Sequence, residues 1–380
     1  MNGAGCMGFQ VDPPVLDKVA GLLNRNRAAV PDMQAYITKY LEKGTAEQIS
    51  GQGLLSWFTY DHDGQVERAD HRLHWVSGVW HSGAANFTAS AASYRSVDVE
   101  TAARMDAQLQ RLGERPKIDP DPSHWDYSSR VAAGFTDVMN PHGAVSIPPN
   151  DDISSLEPKA AEITKWIGDL NDLVSMNAWV RFAIKEIYGR DPIQEVIQLF
   201  SGDWTVFAHY AAAWLHVGRS VDAMRHNIAY TDDALAPHWE GNAADAALTW
   251  LQQLDAAMGA EVSFYDDYLF GVCKAYIDVA YYGYENLNYL VGELLDFILE
   301  SVTALLGVVT DGLSTVAAAI IALCDAIMFI VDFFRQIYYA GKSVAALVDM
   351  PDEPPLTIAD LLLPDPDPNH SNCISVPTTK

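Results

Sequence analysis

Ala236-Pro237-His238-Trp239-Glu240-Gly241-Asn242 separates two long runs of helical periodicity. Upstream, Val206, Tyr210, Val217, Val221, Met224, Ile228 and Leu235 recur at helical spacing; downstream, Ala247, Leu251, Leu254, Met258, Val262, Tyr265, Leu269, Val272 and Tyr276 do the same. Two such runs joined by a few residues predict an antiparallel helical hairpin. Pro237 cannot continue the first helix, Gly241 supplies permissive backbone, and Asn242 is the expected N-cap of the second. Trp239 sits where the chain reverses, so its indole is expected to cover one end of the bundle that the hairpin joins.

Beyond this turn, the same patterning fills most of the 380 residues. Asp12 as N-cap and Pro13 at the first helical position open a helix to about Glu42, with a kink expected at Pro31. A loop containing Leu54-Leu55-Ser56-Trp57-Phe58 follows, then a helix from Val66 to Leu112 with Leu73, Val76, Trp80, Phe87, Tyr94 and Ala102 in one seam. Residues 1–112 thus read as a first hairpin. Residues 113–158 hold seven prolines and no period, a linker. Helices are expected over Lys159 to Tyr188 and Ile193 to Phe200. The central hairpin runs from Asp203 to about Thr310, with a break near Gly283 or Gly292, and a last apolar helix spans Gly312 to about Val348. Residues 159–350 form this second unit, and residues 351–380, with seven prolines and many acids, read as a disordered tail. No segment reads as a strand. The expected fold is all-α: long antiparallel helical hairpins in an elongated bundle of four or more helices.

Composition limits the function. Fifty acids against 24 Lys and Arg give a formal charge of -26, which argues against binding nucleic acid or docking on anionic lipid through a basic patch. Cys6, Cys273, Cys324 and Cys373 are isolated, with no C-x-x-C pair, and do not report a compartment. Met1 to Gln10 lacks a basic n-region followed by an apolar h-region, so no Sec-type signal is expected. The most apolar region, Leu287 to Tyr339, is interrupted by acids, and its longest uncharged run, between Asp311 and Asp325, is too short to span a bilayer. Buried bundle helices are the expectation there, with conditional membrane insertion as the rival.

Trp239-Glu240-Gly241-Asn242-Ala243-Ala244, lying between two helices, resembles the Trp-x-Gly turn of the small exported proteins of actinobacterial type VII (ESX) secretion systems. Gly8-Phe9-Gln10-Val11-Asp12-Pro13 and Tyr94-Arg95-Ser96-Val97-Asp98 resemble a second branch, the ESX secretion-associated substrates, which carry a Tyr-x-x-x-Asp/Glu export signal near the end of their second helix. The resemblance touches residues 8 to 112 and about 203 to 310. It implies a composite signal of Trp239 and Gly241 with Tyr94 and Asp98, read by the export ATPase of the secretion machinery or by a dedicated chaperone. Tyr281 with Glu285 and Tyr289 with Glu293 share the bare Tyr-to-acid spacing, and Trp166-Ile167-Gly168 shares the Trp-x-Gly. Context favours Trp239. From Arg68 to Tyr94 is roughly 39 Å of helix, and the hairpin arm before Trp239 is roughly 50 Å. If the two hairpins pack in reversed orientation, Tyr94 approaches the Trp239 turn, and one chain carries both halves as an internal pseudo-heterodimer.

Enzymatic constellations are sparse. Tyr60-Asp61-His62-Asp63-Gly64 is similar to a calcium loop but misplaces its glycine and terminal acid, and reads as a solvated acidic turn. His71 and His74, three apart, are weak metal-ligand candidates on one helix face. No nucleophile elbow, phosphate loop, dinucleotide fingerprint or His-Glu-x-x-His occurs. The sequence therefore predicts a non-catalytic protein without a cofactor, made in the cytoplasm and secreted or held at the cell surface; self-association is left open. Its rivals are a membrane-active, pore-forming effector, whose acids would protonate at low pH, and a cytosolic helical scaffold or chaperone.

Overall fold

A computed structural model gives the structure of residues 9–42, 53–109, 135–149, 155–176, 178–305, 313–339 and 357–364. The fold is all-α. Helix α1 (Pro13–Tyr40) starts at the expected proline and continues through Pro31 as helix. Helix α2 (Leu54–Ser96) starts earlier than the sequence suggests, because the expected loop Leu54–Phe58 is its first turn. Gly53, at φ 146°, precedes it, and Leu54, Leu55 and Phe58 are buried at once. The far end is also revised: Val97 is extended, and Asp98 caps a separate short helix, α3 (Val99–Asp106).

Residues 135–149, expected as linker, hold a single 3-10 turn (Ala144–Ser146) and lie on the bundle. Val138 N and Met139 N donate to Asn227 Oδ1 at 2.8 and 2.9 Å, satisfying backbone that would otherwise be bare. Most of the rest of the expected linker lies outside the described residues. Helices α4 (Glu157–Met176), α5 (Ala178–Tyr188) and α6 (Pro192–Phe200) follow. The central hairpin is α7 (Thr205–Ile228), a short α8 (Thr231–Leu235), the Trp239 turn, and then α9 (Asn242–Ser263) running through a π-helical turn (Phe264–Leu269) into α10 (Phe270–Leu305). No break occurs at Gly283 or Gly292. Gly283 is a packing notch, since a Cβ there would lie 2.6 Å from the Phe334 ring of α11 (Leu313–Tyr339).

The two hairpins lie against each other in reverse orientation. Along α2, Phe58 stacks on Tyr276 at 4.5 Å, Ala69 O accepts from Tyr265 Oη, Arg72 pairs with Glu261, Gly83 meets Trp250, and Tyr94 reaches Trp239. The partner descends as α2 climbs, which is antiparallel pairing along the whole rod. Helix α1 pairs with α7 through Asn26, whose Nδ2 donates to Met224 O at 3.0 Å and whose Oδ1 accepts from Asn227 Nδ2 at 3.0 Å. At the opposite end from Trp239, α4, α6 and α11 pack on α10 through Trp166, Phe200, Tyr284 and Phe334.

Part of the expected disordered tail is ordered. Thr357–Pro364 forms a strap between α2 and α9, with a 3-10 turn (Ile358–Leu361) opened by a reciprocal Thr357–Asp360 capping box. Ile358, Leu361 and Leu363 are buried. Trp250 Nε1 donates to Leu361 O (3.0 Å), Asn86 Nδ2 to Pro364 O (3.0 Å), and Leu363 N to Ser82 Oγ (3.2 Å). The remaining tail residues lie outside the described residues.

Leu361→Ala, a buried large-to-small change, is expected to cost about 2–4 kcal/mol and to speed amide exchange around Ser82–Asn86, read by urea unfolding and hydrogen–deuterium exchange. Asp266, wedged against Gly218 in the π turn, has its carboxyl pushed up to about 6 by burial and by Asp267. A raised folded pKa gives stability that is complete below the unfolded value and is lost as pH rises through about 6. Asp266→Asn is therefore expected to raise the melting temperature at neutral pH, with the gain vanishing as pH falls below about 4.

Candidate recognition site at the Trp239 turn

The turn is built from strictly local instructions and then fastened from a distance. Pro237 sits in a 3-10 turn (Ala236–His238), after which Trp239 and Glu240 are extended. They pair antiparallel with Gln10 and Val11, in register Gln10↔Glu240 and Val11↔Trp239. This small ribbon overturns the expectation of no strand. Its backbone partners are satisfied further by Asp12 N donating to His238 O (2.9 Å) and Gln10 Nε2 to Pro237 O (3.3 Å).

Trp239 is 1% exposed and Tyr94 9%. Their rings meet edge-on, with centroids 5.9 Å apart and planes at 77°. Phe9 packs on Tyr94 at 6.0 Å, and Phe87 on Trp239 at 6.4 Å. Edge-to-face geometry of this kind adds favourable quadrupole attraction to the area buried. The expected flat, displayed indole is thus corrected: Trp239 is a core residue plugging the bundle end, and so is Tyr94.

Gly241 has φ 135°, a conformation that favours glycine, and a Cβ there would lie 2.5 Å from Asp106 Oδ2. Asp106 is the unexpected member of the site. Its Oδ2 accepts from Asn242 N and its Oδ1 from Ala243 N, each at 2.8 Å. Asn242 Nδ2 returns the contact by donating to Asp106 O (3.0 Å) and Leu109 O (3.3 Å). Asn242 is therefore the first helical residue rather than the N-cap; Gly241 holds that position without a side-chain cap, and Asp106 of α3 does the capping from the other hairpin.

Asp98 stands at the start of that same short helix. Its carboxylate accepts from Thr101 N (2.8 Å) and Thr101 Oγ1 (3.1 Å), and these bonds hold its pKa below the ordinary aspartate value. It is exposed, as is Val99 beside it, and Met105 is also open to solvent. From Asp98 to Asp106 is about 12 Å along the axis. The structure thus brings Tyr94, Trp239 and Gly241 into one cluster and connects Asp98 to it through α3, whose outer surface is what solvent meets.

The other candidates separate clearly. Trp166 is in the core against Phe200 and Tyr284, and Tyr281 bonds Glu162, so neither joins this turn. His71 and His74 are exposed on α2, and among the described residues no group of three His, Cys, Asp or Glu side chains is placed to hold a metal ion. The segment Tyr60–Gly64, expected as a solvated turn, is helical. Asp61 accepts from Tyr276 Oη, and His62 is buried, stacked on Tyr210 at 4.3 Å and accepting from Trp214 Nε1 at 3.1 Å. Burial pushes the His62 pKa down to about 3, so it is a neutral packing residue.

No family model, curated protein or solved structure matches the chain.

Urea unfolding of single and double variants checks the turn. Asp106→Ala is expected to cost about 1–2 kcal/mol, and Gly241→Ala about 1–3 kcal/mol from its backbone angle alone. Because the new methyl would displace the Asp106 carboxylate, the double variant is expected to lose less than the two singles together.

Proposed function

We propose that this chain is a non-catalytic protein exported by a type VII (ESX) secretion system, with both halves of a composite signal in one polypeptide. The observation that carries the reading is the contact of Tyr94 with Trp239, residues 145 positions apart in the chain, at one end of two reversed hairpins. The resemblance assigns those motifs to two partners of a heterodimer; here the two hairpins play the two partners. Because Trp239 and Tyr94 are buried, they position rather than present. The presented surface is α3, where Asp98 supplies charge and Val99 and Met105 supply apolar contact for a cationic, partly apolar site on the export ATPase or a dedicated chaperone. Release to the medium or the cell surface would follow.

Export of tagged protein into culture filtrate tests this in a host with the secretion machinery. Asp98→Ala and Val99→Asp, both at exposed positions, are expected to keep helicity and thermal stability yet remain in the cell. Trp239→Ala and Tyr94→Ala are expected to lose export together with stability. Retention of folded wild type in the cell, or normal export of the α3 variants, would sink the reading and leave a cytosolic helical scaffold in its place.

A further inference from the structure

Helix α11 does not fit the bundle it rests on. Its stretch Val316–Gln336 is 21 residues with mean hydropathy 2.3, yet only 28% of that window is buried. A helix that serves as a core is apolar and covered; a helix on a surface is apolar on one stripe and polar on the other. This one is apolar on both faces. Ile320, Cys324, Ile327, Val331 and Phe334 face inward, while Ile321, Phe329 and Phe333 face outward, Phe329 at 74% and Phe333 at 53% exposure. A protein partner needs a single apolar stripe; apolarity all round at this length is what hydrocarbon selects. Twenty-one residues rise about 31 Å, close to the roughly 30 Å of a bilayer interior. Counting only uncharged residues hides this span, because Asp325, Asp332 and Arg335 interrupt it.

Those three charges are where the helix is tied down. Asp325 accepts from Tyr188 Oη of α5 at 2.8 Å. Arg335 binds Glu195 of α6, and also reaches Asp332 one turn back at 3.4 Å. Both attachments to the body use side chains of α5 and α6, at the end of the molecule opposite the Trp239 turn.

We propose that α11 is a membrane-inserting helix, held on the body by the Tyr188–Asp325 and Glu195–Arg335 contacts and entering the acyl region of a bilayer through its Ile321, Phe329 and Phe333 face. The rest of the chain, with its charge of -26, is repelled by anionic headgroups, so the favoured surface is zwitterionic. The inference does not rest on the export route.

Flotation of the full chain with phosphatidylcholine vesicles tests it. Wild type is expected to float, equally at about 0.15 M and about 1 M salt, since apolar insertion is not screened, and less well when anionic lipid is added. The double variant Phe329→Asp with Phe333→Asp, at solvent-facing positions that leave the core intact, is expected to lower the bound fraction at least tenfold, given the cost of an aspartate within a bilayer. Tyr188→Phe with Glu195→Gln, which loosens the tie, is expected to raise it several-fold. The proposal is overturned if neither wild type nor the loosened variant floats. It is also overturned if the aspartate variant, with unchanged circular dichroism, floats as well as wild type. A third overturning outcome is a wild-type dimer by analytical ultracentrifugation that the aspartates dissociate without any lipid binding, because a second copy would then be what covers the face.

Discussion

The carboxylate of Asp106 lies where two otherwise separate units become one. Its two hydrogen bonds to the first turn of α9 satisfy backbone donors that no local side chain reaches, and they do so from the other hairpin. The position of α3 is in turn set by Asp98, and α3 hangs from the end of α2. A single cap therefore fixes how far α2 extends past the Trp239 turn. With that depth set, Tyr94 meets Trp239, Gly83 meets Trp250 and Arg72 meets Glu261, each further down the same pair of helices.

Polar contacts along that interface select one alignment from the several that apolar seams alone would permit. Glu261 is buried, and burial raises its pKa while the bidentate Arg72 opposes the rise. Such a pair gives little net stability over apolar neighbours, but sliding it by a turn would strand a buried charge. The Asn26–Asn227 contact does the same between α1 and α7, and Asn227 also gathers the segment around Met139. Close approaches at glycine complete the fit: Gly83 admits the Trp250 indole and Gly218 admits Asp266, contacts that any Cβ would prevent.

What can be read from the chain divides by range. The all-α class, the helix starting at Pro13 and the hairpin turn at Pro237–Gly241 follow from periodicity and from residues adjacent in sequence. The meeting of Tyr94 with Trp239 is accessible through helix length, because a reversed pairing of two rods of known rise has few outcomes. The true cap of α9 escapes such reading because a capping side chain need not be local, and nothing near Asp106 points to a helix 136 residues away. Glycines mislead in both directions: Gly64 stands in a helix facing open space, and Gly283 is a notch for Phe334 rather than a breaker. The strap at Thr357–Pro364 is hidden by the prolines and acids around it, its three buried apolar side chains being too few to register as a pattern.

The π-helical turn at Phe264–Leu269 has a consequence for how such a chain can change over time. It accommodates one residue more than an α-helical turn would, inside a rod that is otherwise uninterrupted from Asn242 to Leu305. Loss of a single residue there would leave the rod helical while rotating everything beyond Leu269 by about 100°. Tyr276 would then swing away from Asp61 and Phe58, and the α10 surface that carries α4 and α11 would turn to another side. Any sequence compared with this one thus needs a gap allowed in the middle of its longest helix, a place where insertions and deletions are ordinarily forbidden.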